Sequence, residues 1–214
     1  MKPTHLLPLL ALLALSACNN DPLRTAAYNE GAAYYQAKHY DLALPKLREA
    51  AKAGNADAQL LLGKCYDFGY GVPANVTQAA SWYTAAANAG NANAQDNLGT
   101  CYATGSGVPK NLSKAVQLYR QAAAQNNASA LNNLGLCYRN GEGVAEDPTI
   151  AADYFRRAAN LGNANGQYNL GRCYFHGIGV PDADLEQARL WISKAAAQGH
   201  KNAIGFMEDN GWQP

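Results

Sequence analysis

Apolar and small residues recur along this chain with a helical period, broken at regular intervals by glycine and asparagine. Ala58, Leu62 and Tyr66 fall four apart, which puts three side chains on one face of a helix. The spacing predicts a helix from Asp57 to Phe68, ended by Gly69, because glycine accepts the positive φ that closes many helices. A second helix is predicted to start near Asn75, whose side chain can accept the unpaired N–H groups of a first turn. Asn111, Asp147 and Asp184 begin equivalent helices, and Pro148 takes a first helical position where its missing N–H costs nothing. Asn75 with Gln78, and Asp184 with Gln187, resemble capping boxes. Gly90, Gly162 and Gly199 end the second helices. Asn126 holds the equivalent place in another unit, as the one other residue that tolerates the left-handed conformation well.

The pattern repeats every 36 residues. Leu-Gly recurs at Leu62, Leu98, Leu134 and Leu170. Cys-Tyr follows at Cys65, Cys101, Cys137 and Cys173, and Gly-x-Gly-Val starts at Gly69, Gly105, Gly141 and Gly177. The second half carries Ala79, Ala115, Ala151 and Ala188, then Trp82, Leu118, Tyr154 and Trp191, then Ala86, Ala122, Ala158 and Ala195. The last unit holds one extra residue between Val180 and Ala188. Tyr28 to Asn55 reads as a degenerate unit with Gly31 and Gly54 but no Gly-x-Gly-Val loop. Such arrays bury a core only by stacking neighbours, and their end units need polar outer faces. The organisation that follows is a signal peptide over 1–17, a linker over 18–25 and a degenerate hairpin over 26–57. Four repeats over 58–202 and a cap and tail over 203–214 complete it.

Composition agrees with many short helices. Of 214 residues, 42 are alanine and 21 asparagine; Ala favours helix and Asn marks helix ends. That composition argues against an all-β fold. A formal net charge of +1 speaks against a nucleic-acid binder. A hydrophobic content of 48% speaks against intrinsic disorder.

The first residues are not part of the fold. Lys2, the apolar run Leu6–Ala14 and the small residues after it describe a secretory signal. The run is too short to cross a bilayer as a helix. Leu15-Ser16-Ala17-Cys18 resembles the bacterial lipobox, which implies cleavage before Cys18 and acylation of its sulfur and amine. Several acyl chains anchor firmly where one would not. Asn19 stands where Asp is the usual inner-membrane retention signal, which favours the outer membrane, facing the periplasm.

Leu-Gly-x-x-Tyr-x-x-Gly-x-Gly-Val followed by Ala-x-x-Trp-Tyr-x-x-Ala-Ala resembles the Sel-one-like repeat, a branch of the tetratricopeptide repeat superfamily. The resemblance implies an all-α solenoid of antiparallel helical hairpins winding as a right-handed superhelix, with the first helices on its concave face. It implies a protein-interaction scaffold with no chemistry and no cofactor of its own. Two other classes stay open: an immunity protein that blocks a secreted toxin, and more distantly a β-lactam or cell-wall directed enzyme. By the same resemblance, Asn97, Asn133 and Asn169 stand in register toward the concave face, where their amides could pair with an extended peptide backbone. The alternative, that these amides bond the backbone of neighbouring helices, stays open too. Arg139, Arg172, Tyr168 and Phe175 share those helices. Four basic residues and no acid lie between Asn97 and Gly141, which favours an acidic partner.

Other chemistry is weaker. Gly-x-Gly follows a helix here and lacks the third glycine and preceding strand of a dinucleotide site. Cys65, Cys101, Cys137 and Cys173 hold one slot in successive units, so their Cα atoms should be at least ~8 Å apart, beyond the reach of a disulfide. Cysteine-rich relatives pair a first-helix Cys with one on the second helix, and no second-helix Cys exists here. Four buried thiols acting as small hydrophobes are therefore expected. His39, His176 and His200 lie in different units, so no metal site is expected.

Overall fold

The structure, a computed structural model, describes residues 22–212, with side chains from Thr25 onward; Cys18 and the lipobox lie outside the described residues. The chain divides into two compact units at Asn91, each built from consecutive helices that pack as hairpins. Among the described residues there is no strand.

The first unit holds α1 (Pro22–Gln36), α2 (Tyr40–Lys52), α3 (Ala56–Phe68) and α4 (Val76–Asn88). Helix α1 is already under way at Pro22, inside the stretch 18–25 read as linker. Its core joins Leu44, Leu47 and Ala51 of α2 to Ala58, Leu62 and Cys65 of α3, all buried. The second unit holds α5 (Ala92–Thr104), α6 (Leu112–Ala124), α7 (Ala128–Asn140), α8 (Pro148–Asn160), α9 (Ala164–His176), α10 (Leu185–Ala197) and α11 (Lys201–Asp209).

The caps explain where helices start. Asn75 accepts from the Gln78 N–H at 3.0 Å, Asn111 from Lys114 at 2.9 Å, and Asp184 from Gln187 at 2.9 Å. Asp147 accepts from both Thr149 and Ile150. First helices are capped too, by Asn55, Asn127, Asn163 and His200, a signal the sequence reading passed over. Asn126 adopts φ 59°, the left-handed conformation that its glycine counterparts share.

The Leu-Gly glycines let the second helix of each hairpin come close. A Cβ at Gly63 would lie 2.5 Å from the Tyr83 ring, one at Gly99 2.6 Å from Tyr119, and one at Gly171 2.5 Å from Ile192. Gly135 meets Phe155 in the same way. The residue that seats there is the one after the recurring Trp82, Leu118, Tyr154 and Trp191, which are only half-buried. The four cysteines are buried and unbridged. Burial pushes the Cys65 and Cys137 thiols up to about 11, so both are neutral and poorly nucleophilic at pH 7.

A buried glutamine in three of the four repeats shows how the array satisfies polar atoms. The Gln95 Oε1 accepts from Gln125 at 2.9 Å, and the Gln167 Oε1 from Gln198 at 2.8 Å. Leu131 and Leu161 replace such a pair with apolar side chains. In the first unit, Gln59 donates to the Ala51 carbonyl at 3.1 Å, but its Oε1 is buried without a partner, because Ala89 stands where a glutamine would reach it. Ala89→Gln is expected to stabilise the protein by about 1 kcal/mol, the net value of one hydrogen bond. Thermal unfolding measures it; an unchanged or lower midpoint would show that the Gln59 oxygen is already satisfied by water.

Candidate functional site

Helices α5, α7 and α9 carry Asn97, Asn133 and Asn169, each half-buried. Two of them already bond within the protein. The Asn133 Nδ2 donates to Asp96 Oδ1 at 2.8 Å, and the Asn169 Nδ2 donates to Asn132 Oδ1 at 2.9 Å. Both bonds join one first helix to the next. Asn133 and Asn169 thus each tie repeats together with one donor, through a side-chain partner and not through helix backbone. An amide has two N–H groups and a carbonyl, so each keeps further capacity.

The aromatic residues part company with the asparagines. Phe175 packs edge-on against Phe206 at 5.0 Å and against Trp212 at 6.0 Å. Tyr168 lies 4.8 Å from the His200 ring and 6.3 Å from Phe206. Phe206 of α11 and Trp212 cover these rings. Half-buried Phe175 thus packs with the cap residues, and half-buried Tyr168 touches both His200 and Phe206.

Arg139 and Arg172 remain exposed on α7 and α9. The Arg139 Nε donates to Asn140 Oδ1 at 3.0 Å, and its Nη1 to Asn169 Oδ1 at 3.5 Å. The Arg172 guanidinium stands 5.9 Å from the centre of the Tyr168 ring, within cation–π range. Two recesses meet at these residues. One of about 400 Å³ holds Asn132, Asn133, Asn165, Tyr168 and His200; the other, of about 240 Å³, holds Phe155, Cys173, His176 and Ile178. Arg139, Asn169 and Arg172 line both. A larger apolar groove of about 580 Å³ lies apart from them, between α10 and α11.

Two groups near this face are perturbed. Asp96 is pushed up to about 6, chiefly by burial, with the Asn133 amide opposing the shift. Burial raises the Cys173 thiol, while Arg139, Arg172 and Arg156 pull it back down, so these guanidiniums act on one point. Among the described residues no three His, Cys, Asp or Glu side chains come together as metal ligands would. What the face offers is donors, acceptors and positive charge.

Comparison with known proteins bears on this arrangement. The family model for the Sel1 repeat matches residues 56–91, 92–127, 128–163 and 164–200. The chain is 33% identical to a Sel1 repeat protein from Oxalobacter formigenes, over 78% of this chain and 48% of that one, with a TM-score of 0.67. It is 30% identical to a protective antigen present in uropathogenic Escherichia coli strains, which displays an SLR fold. That likeness covers 94% of this chain and 52% of the other, with a TM-score of 0.50. An immunity protein from Pseudomonas aeruginosa is 22% identical over 86% of this chain and 69% of its own, with a TM-score of 0.57, a likeness of fold alone. The chain spans about half the length of the first two. No curated protein matches it significantly.

Proposed function

We propose that this chain, which belongs to the Sel1 repeat family, is an envelope lipoprotein that docks protein partners on its first-helix face. The family's helical repeats form a protein-interaction scaffold, and a partner's identity is written in the side chains each array displays. The observation that carries the docking reading is the junction of two recesses at Arg139, Asn169 and Arg172, where two exposed guanidiniums stand beside a half-buried amide. These groups hold a ligand without transforming it. Toxin inhibition is one form such docking takes, and a fold shared at 22% identity does not select it. The anchor in this reading is the acylated Cys18, supported by Leu15-Ser16-Ala17-Cys18, and Asn19 supports the outer membrane. Among the described residues no helix is long and apolar enough to cross a membrane.

Photo-crosslinking in the native host tests both halves. A photoactivatable residue at Asn202, on the rim of the larger recess, is expected to give a discrete adduct in the membrane fraction. The same residue at the exposed Ile150 of α8 should not. Cys18→Ser is expected to leave the protein unprocessed or soluble. Normal processing and membrane retention of that variant would remove the anchor from the reading. Identical adducts from both crosslinking positions, or none from Asn202, would remove the docking face.

A further inference from the structure

We infer that the apolar groove between α10 and α11 is the interface on which two copies of this chain pair about a two-fold axis. The groove lies apart from the Arg139–Asn169–Arg172 junction, so the inference does not rest on the docking reading. It follows from the register of the last helix. Asn163 caps α9 and His200 caps α11; the same interval counted on from Leu170-Gly171 puts Met207-Glu208 in the Leu-Gly place. A Cβ on Gly171 would lie 2.5 Å from Ile192, which is how closely α10 sits on α9. Glu208 carries that Cβ and a carboxylate beyond it, so no second helix can seat on α11 as α10 seats on α9. The seat is left as a groove of about 580 Å³.

Its walls are apolar and its two charges are opposite. Leu190, Lys194 and Ala197 line it at helical spacing along α10, and Ile204, Met207 and Glu208 line it along α11. Leu190 is 44% and Ile204 39% exposed, with Met207 buried beneath. Lys194 lies over the Trp191 ring at 4.2 Å. Among the described residues neither Lys194 nor Glu208 has an ion-pair partner; the pairs found are Lys46 with Glu30 and Arg156 with Asp153. Residues 198–200 join α10 to α11, a connection so short that the helices run antiparallel. Lys194 therefore lies toward the turn and Glu208 toward the opposite end. A two-fold axis through the groove exchanges its ends, so Lys194 of each copy meets Glu208 of the other while the apolar walls cover one another. This complementarity selects the occupant. A fatty acid would fill the apolar walls, but its carboxylate would answer Lys194 alone and leave Glu208 beside an alkyl chain.

Sedimentation velocity of the purified chain from Asn19 onward, which keeps every described residue, tests this. The mass is expected to rise from one chain to two between about 1 μM and about 1 mM, and to stop there. Lys194→Glu and Glu208→Lys each place like charges at both contacts and should weaken pairing about tenfold or more. Mixed together, the two variants again join opposite charges at both contacts and should pair within about threefold of the parent protein. Leu190→Glu should abolish pairing over the same range. All three sites are exposed, and circular dichroism and melting of each variant check that the fold is intact. A single-chain mass throughout would overturn the inference. Growth beyond two chains would overturn it in favour of head-to-tail stacking, which does not close. Pairing that survives both single charge reversals, or that mixing does not restore, would overturn the placement of the interface. Saturable binding of cis-parinaric acid that Leu190→Glu removes, by a chain that stays single, would assign the groove to a lipid instead.

Discussion

Gly179→Ala is expected to destabilise the protein by about 3 kcal/mol or more, whereas Gly162→Ala costs about 1 kcal/mol. Both glycines have positive φ, +71° at Gly179 and +83° at Gly162, so both variants carry the left-handed penalty of an L-residue. They differ in what a new Cβ would meet. At Gly162 nothing lies within 4 Å. At Gly179 the Cβ would overlap the Pro148 carbonyl oxygen, lie 2.6 Å from that carbonyl carbon, and lie 3.1 Å from the Ala152 Cβ. These are atoms of α8, and a helix backbone cannot step aside as a flexible side chain can. Gly143 presses on Leu112 of α6 in the same manner. The second glycine of these two loops is therefore a contact with the preceding hairpin, not only a turn. At roughly 2–4 °C per kcal/mol for a chain of this size, the midpoint should fall by about 6–12 °C for Gly179→Ala and about 2–4 °C for Gly162→Ala. Equal shifts in the two variants would show that conformation alone matters and that the close approach to α8 does not. Because α9 ends at this loop and carries Asn169 and Arg172, loss of the contact should also weaken ligand capture.

Asp96→Asn is expected to stabilise the protein by about 2 kcal/mol at pH 7.5 and to change nothing at pH 4. Burial lifts the Asp96 carboxyl from 3.8 to about 6, and the single donor from Asn133 only partly offsets it. The sign follows from linkage. A raised folded-state value means that the folded protein holds the proton more tightly than the unfolded chain does. The favourable contribution is complete below pH 3.8 and is lost as pH rises through about 6. At pH 7.5 the ionised, buried carboxylate is a net cost. Asparagine carries no charge to desolvate, and its Oδ1 can still accept from Asn133. The chain already contains that solution one repeat on, where Asn132 accepts from Asn169 at 2.9 Å. Denaturant unfolding at several pH values decides it: the gap between the two proteins should open between pH 4 and pH 6. A gap that stays constant with pH, or that never opens, would show Asp96 to be solvated in the folded state.

Helix by helix, the chain was legible because its signals are local. Asn75, Asn111, Asp147 and Asp184 cap helices through bonds to their own first turns, which span two or three residues of sequence. Positive φ at Gly69, Gly141 and Gly177 is likewise a property of one residue and the helix before it. The exclusion of disulfides followed from one slot repeated at one spacing, and the four buried thiols agree with it. The first-helix face was legible as a set of positions, since Asn97, Asn133 and Asn169 recur at the repeat period.

What each of those side chains does was decided only by tertiary packing. Asn133 and Asn169 reach residues 37 positions away, Asp96 and Asn132, which no periodicity marks as their partners. Phe175 packs against Phe206 and Trp212, residues of the C-terminal segment that no repeat position marks as its partners. The buried seat against each Leu-Gly glycine fell to Tyr83, Tyr119, Phe155 and Ile192, whose mixed identities hide a common role. That Arg139 and Arg172, both marked by the sequence, line the same two recesses was decided by the stacking of their helices. The physical reason is the same throughout: caps and turns depend on neighbours along the chain, which a sequence displays. Pairing, burial and uncompensated charge depend on neighbours in space, which stacking brings together.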